Sequence, residues 1–236
     1  MRKFSRPRLE QLEGRQMLAV TAVSVAFDQY GHITRDVVKD GALYESHDNG
    51  AYKQIILSNV RSVSITYDWP NARGYLGLEG DFVREVVAVN GAISQSINNK
   101  PYTLVPSAPV QSFNVVFDSN GNLEATVIDG NGVTSHNGIP LPGAPANAQS
   151  VSENFQRNTD TLLSTGVADV TMVVASGVLY YKVNGIGPFT PIQTVTPLLS
   201  VSATFDRAGN SVTDVVGIDG TLSESAAGTT YVLPPP

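Results

Sequence analysis

Two segments at opposite ends of this chain are nearly the same segment. Val23-Ser-Val-Ala-Phe27-Asp28-Gln-Tyr-Gly31 is followed by Val37-Val38 and then Asp40-Gly41-Ala42-Leu43. Val201-Ser-Ala-Thr-Phe205-Asp206-Arg-Ala-Gly209 is followed by Val215-Val216 and then Asp219-Gly220-Thr221-Leu222. Recurrence on this scale marks a repeat architecture, in which each unit buries its apolar face against the next.

Three more copies lie between them. They open at Val63-Ser-Ile-Thr-Tyr67-Asp68, Phe113-Asn-Val-Val-Phe117-Asp118 and Val151-Ser-Glu-Asn-Phe155-Gln156. The aromatic anchors Phe27, Tyr67, Phe117, Phe155 and Phe205 fall 40, 50, 38 and 50 residues apart. Two units owe their length to insertions near residues 69–83 and 157–169.

Within a unit the first segment alternates strictly, large residues on one face and small ones on the other, as a half-buried strand does. Asp28 to Gly31 and Asp206 to Gly209 read as type I turns, and Asp40-Gly41 as a two-residue hairpin. Each unit therefore predicts four antiparallel strands in about 40–50 residues. That is the description of a propeller blade, and five units give an all-β, five-bladed β-propeller. The blades are expected near residues 21–59, 60–108, 109–148, 149–197 and 198–236, after a leader over 1–20. An open sandwich or barrel-like stack of the same hairpins is the alternative. It draws on the proline-rich end of the third unit, on Gln156 in place of the turn Asp, and on the lack of a blade shared by both termini.

The chain carries a net charge of −6. The first fifteen residues hold five basic and two acidic side chains, which leaves −9 for the rest. An acidic body excludes nucleic acid as a partner, because phosphate binding needs a positive surface. There is no cysteine, hence no disulfide or thiol chemistry. No apolar run is long enough for a spanning helix.

The segment Arg6-Pro7-Arg8-Leu9-Glu10-Gln11-Leu12-Glu13-Gly14-Arg15-Gln16-Met17-Leu18-Ala19 resembles the LEPR-XLL type N-terminus of planctomycete exported and surface proteins, with Met17 in place of a Leu. The repeats also resemble the propeller-like repeats of planctomycete surface proteins. The resemblance implies an extracellular or cell-surface address and, as partner, an extracellular polymer or protein.

Catalytic patterns are missing. His32, His47 and His136 sit in no metal-binding spacing and read as surface residues; no G-x-S-x-G occurs. Asp118, Asn120 and Asn122 look like a calcium loop, as does the run from Asp129 to Gly132. The other units keep only the Asp and Gly of these loops, which is turn chemistry, so no cofactor is expected. Glu153 is the one acidic residue inside the alternating strands, and it lacks the second carboxylate that glycoside hydrolysis needs. Trp69, Arg73 and Tyr75, on the first insertion, are the residue types of a recognition surface. The expected function is thus a non-enzymatic structural or binding module. The alternatives are a carbohydrate-active hydrolase of the five-bladed type, or a module binding carbohydrate or calcium.

Overall fold

The computed structural model describes residues 19–56, 58–68, 81–117, 122–155, 169–206 and 208–236. Among the described residues twenty strands form five separate four-stranded antiparallel sheets, each in simple chain order. Blade 1 is β1 (Val20–Phe27), β2 (Ile33–Lys39), β3 (Ala42–His47) and β4 (Lys53–Ile56). Blade 2 is β5 (Val60–Tyr67), β6 (Phe82–Ala88), β7 (Ile93–Ile97) and β8 (Thr103–Val105). Blade 3 is β9 (Val110–Phe117), β10 (Leu123–Asp129), β11 (Thr134–His136) and β12 (Ile139–Pro140). Blade 4 is β13 (Ala148–Phe155), β14 (Asp169–Ala175), β15 (Val178–Val183) and β16 (Ile186–Ile192). Blade 5 is β17 (Leu198–Phe205), β18 (Ser211–Gly217), β19 (Leu222–Ala226) and β20 (Thr229–Val232).

The molecule is a five-bladed β-propeller, and the ring is closed. Each first strand lies at the axis, and its small polar residue accepts a backbone N–H from the first strand of the next blade. Ser24 accepts from Ile65 at 3.0 Å, Ser64 from Val115, Asn114 from Glu153, Ser152 from Ala203 and Ser202 from Val25, the last four at 2.9 Å. The fifth of these bonds joins blade 5 to blade 1. Among the described residues no strand is exchanged between blades, so the ring closes through contacts across the 5/1 seam rather than through a shared blade. This corrects the open stack: a blade completed by both termini is one way to close a ring, and matched seams are another.

Apolar packing repeats from seam to seam. Ala22, Ala26, Val38 and Leu43 of blade 1 form one buried cluster with Val63, Ile65, Phe82 and Val86 of blade 2. The small face of one blade thus receives the large face of the next. Val20, Val23 and Val37 make the corresponding cluster with Val216 and Leu222 across the 5/1 seam. The turns follow the sequence reading. Asp40 and Gly41 have φ of 53° and 74°, the left-handed pair that a two-residue hairpin requires. Asp28 Oδ1 accepts the N–H groups of Tyr30 and His32 and closes the first turn. The short fourth strand expected of the third unit is the two-residue β12.

Candidate functional site: the inter-blade seams

Strand register aligns the blades residue by residue. One row across the first three strands reads Ser24, Asp36, Glu45 in blade 1 and Ser202, Asp214, Glu224 in blade 5. It reads Ser64, Glu85, Gln95 in blade 2, Asn114, Thr126, His136 in blade 3 and Ser152, Met172, Tyr181 in blade 4. The adjacent row points toward the preceding blade: Val25, Arg35, Ser46 in blade 1, Ile65, Arg84, Ser96 in blade 2 and Glu153, Thr171, Lys182 in blade 4.

Two seams are closed by arginine. Arg35 Nε reaches Asp214 Oδ2 at 2.5 Å and its Nη2 reaches Glu224 Oε2 at 2.5 Å, across the 5/1 seam. Arg84 Nε reaches Asp36 Oδ2 at 2.5 Å, Nη2 reaches Asp36 Oδ1 at 3.2 Å, and Nη2 also pairs with Glu45, across the 1/2 seam. Burial opposes a charge on Arg84, but the Asp36 carboxylate overrides that and raises its pKa. Burial pushes the Asp36 carboxyl up to about 6 against the pull of Arg84. These planar forks spend their donors on paired carboxylates inside the protein, so they are structural latches.

The 2/3 seam lacks its cation. Ala125 stands where Arg35 and Arg84 stand, and Glu85, only 3% exposed, keeps one partner, Gln95 Nε2 at 2.5 Å. Its Oε2 is buried without a hydrogen bond, and burial raises its pKa to about 7.

In the 3/4 seam the carboxylate has changed sides. The carboxylate comes from blade 4, as Glu153, and meets Thr126 and the His136 Nδ1 of blade 3, the latter at 2.8 Å. His136 Nε2 faces Glu124 Oε2 at 3.1 Å. The cation has moved one strand outward, to Lys182, whose Nζ donates to the Pro142 carbonyl at 3.4 Å and lies 5.5 Å from the centre of the Phe189 ring. Asp169 completes the group; burial, then the nearby Glu153 charge, push its carboxyl up to about 6.

Two open grooves flank these seams on the face where the first strands end. The 1/2 groove is a cavity of about 520 Å³ lined by Tyr30, His47, Tyr67, Phe82, Asn98 and Asn99, among others. The 3/4 groove, about 540 Å³, is lined by His136, Glu153, Phe155, Asp169, Lys182 and Asn184, among others. They are built alike: Asn98 Oδ1 accepts the Phe82 N–H at 2.8 Å, and Asn184 Oδ1 accepts the Asp169 N–H at 2.9 Å. They differ in depth. The 3/4 groove reaches the row of Glu153, Thr171 and Lys182, whereas the 1/2 groove stops above Arg84. The mouth of the central axis, by contrast, holds only about 40 Å³.

The structure places Glu153 within this cluster, 4% exposed, and so corrects its reading as a carboxylate without partners. His136 is likewise no surface histidine, since both ring nitrogens are engaged. His32 and His47 do lie at the surface, with side chains 64% and 61% exposed. Trp69, Arg73 and Tyr75, and the calcium candidates Asp118 and Asn120, lie outside the described residues; Asn122 is exposed immediately before β10. Asp129 Oδ1 accepts the N–H groups of Asn131 and Val133, which lowers its pKa and spends it on the turn. Among the described residues no cluster of acidic and histidine side chains has metal-site geometry. No helix among them is long and apolar enough to cross a membrane.

No family model matches the chain, and no curated protein matches it. Among solved structures it is similar to a fucose-specific lectin from Aleuria aurantia, with a TM-score of 0.52 at 11% identity over 89% of this chain and 76% of that one. A second structure of that lectin, a six-bladed β-propeller with a novel fucose recognition mode, gives 0.52 at 12% identity over 92% of this chain and 78% of that one. The likeness is one of fold.

Proposed function

We propose that this chain is a non-enzymatic binding module, exported and displayed at the cell surface, that holds an extracellular carbohydrate polymer. The observation that carries the reading is the pair of equivalent grooves on one face, each of a volume that suits a small-molecule site. Aromatic rings beside amides and carboxylates suit the apolar faces and hydroxyls of sugar rings. Tyr67 and Phe82 stack with centroids 4.7 Å apart at the 1/2 groove. The lectin likeness supports the scaffold, and the grooves support the ligand class. The export reading draws on the resemblance of residues 6–19 to a surface-protein N-terminus.

Asp68, which lines the 1/2 groove, immediately precedes in sequence the insertion that carries Trp69, Arg73 and Tyr75. Affinity electrophoresis through a panel of neutral and basic polysaccharides tests the reading: retardation by at least one is expected, and Trp69→Ala should weaken it without changing the melting temperature. Retardation by none would exclude a carbohydrate module. Cell fractionation tests the address, and a cytoplasmic pool alone would overturn it.

A hydrolytic reading draws on one observation, the gathering of Glu124, Glu153 and Asp169 around the 3/4 groove. A pair of carboxyls flanking the scissile bond is what glycoside hydrolysis uses. Release of reducing ends from a bound polysaccharide, lost in Asp169→Asn, would establish it; binding without release would exclude it.

A further inference from the structure

The 3/4 groove contains groups that the protein itself leaves unsatisfied. Asp169 Oδ1 is buried and has no hydrogen-bond partner. Lys182 is only 6% exposed, yet its ammonium, with three donors, makes one hydrogen bond of 3.4 Å. Buried polar atoms are almost always paired, so an orphan acceptor and an underused donor lining one cavity point to a molecule that pairs both. Glu124, Glu153 and Asp169 outnumber Lys182 and His136, so the cavity is negative even when the His136 ring between Glu153 and Glu124 is protonated. It therefore disfavours anionic sugars and favours a ligand that brings a positive charge. Leu141 and Phe155 supply apolar walls.

Comparison of the seams shows how the space arises. Arg84 fills the 1/2 seam from the second strand of its blade, and Thr171 holds that position in blade 4. The shorter side chain opens the groove down to the charged row.

We propose that the 3/4 groove is a subsite for a sugar ring bearing a free amine, with the amine on Asp169 and a neighbouring hydroxyl accepting from Lys182. This rests on the carbohydrate-binding reading above. Charge-assisted hydrogen bonds to both groups would give selectivity for the ring that presents them together.

The test is calorimetric titration of the full chain with a glucosamine oligomer, its N-acetylated counterpart and a glucose oligomer of equal length. The glucosamine oligomer should bind at least about tenfold more tightly than either. Asp169→Asn should bring the three to near parity. Thr171→Arg, which restores the guanidinium found in the other seams, should abolish binding with the melting temperature unchanged or raised. Equal affinity of wild type for the acetylated and free amines would overturn the subsite, and so would full binding by a folded Thr171→Arg. If neutral sugars bind and Thr171→Arg leaves that binding intact, the subsite fails while the general reading stands. If no sugar binds at all, both fail.

Discussion

The 1/2 and 3/4 seams are the same piece of architecture used in opposite ways. In the 1/2 seam, Arg84 crosses to two carboxylates, and the polar row is saturated within the fold. In the 3/4 seam the carboxylate and the cation both belong to blade 4, on separate strands, and the row stays open to a groove. A buried charge is costly unless paired, and these two seams meet that constraint differently, one by pairing within the fold and the other by leaving its groups facing a groove. The difference teaches that the invariant part of the repeat, its turns and apolar columns, sets the ring, while one variable row decides what each seam does.

Removing a latch should have the largest effect on this contrast. Arg84→Ala strands Asp36 and Glu45 in a buried seam, and a loss of about 3–5 kcal/mol in urea unfolding is expected. Lys182→Met, its counterpart in the open seam, should cost clearly less; equal losses would erase the distinction between the two seams.

The 2/3 seam offers the opposite manipulation. The folded-state pKa of Glu85, about 7, lies above its ordinary 4.5, so folding favours the protonated acid. Its contribution is most favourable below pH 4.5 and is lost as pH rises through about 7, above which the carboxylate is ionised in both states. Glu85→Gln should therefore stabilise the protein by on the order of 2–3 kcal/mol at pH 8, with the gain vanishing below pH 4.5. Chemical denaturation at both pH values checks the sign.

A smaller gain, about 1–2 kcal/mol, is expected of Ala125→Arg, which supplies the missing cation to Glu85. The gain should disappear in the Glu85→Gln background, a coupling that a double-mutant cycle reads directly. The axial bonds should show the smallest effect. Ser64→Ala leaves the Val115 N–H unpaired at the centre of the ring and should cost about 1 kcal/mol, with the same loss for Ser152→Ala one seam beyond the groove. A larger loss at one of the two would show that the axis does not share its load evenly.

Much of the fold was legible in the residues. Phe27-Asp28, Asp40-Gly41 and the Val-Val pairs recur because every blade needs the same turn and the same apolar contact. The latches were legible in principle too. Arg35-Asp36-Val37-Val38, Arg84-Glu85-Val86-Val87 and Thr213-Asp214-Val215-Val216 align without gaps, each with an acidic residue directly ahead of Val-Val and two with an arginine before it. The pairing itself is not visible locally, because the partners are far apart in the chain: Arg35 and Asp214 are 179 residues apart and meet only when the ring closes.

The groove was not legible. Glu153 stood out as the acidic residue in an alternating strand, but nothing local linked it to His136, Asp169 or Lys182. Those four come from four strands of two blades. The amino-acid sequence by itself determined the repeat, the four-stranded unit and the number of units, because these depend on periodicity and turn chemistry within about fifty residues. Tertiary structure alone decided that the ring closes without an exchanged strand, which seams are latched and which is open. Those outcomes depend on which side chains face each other across a blade interface, and facing is a property of the assembled ring.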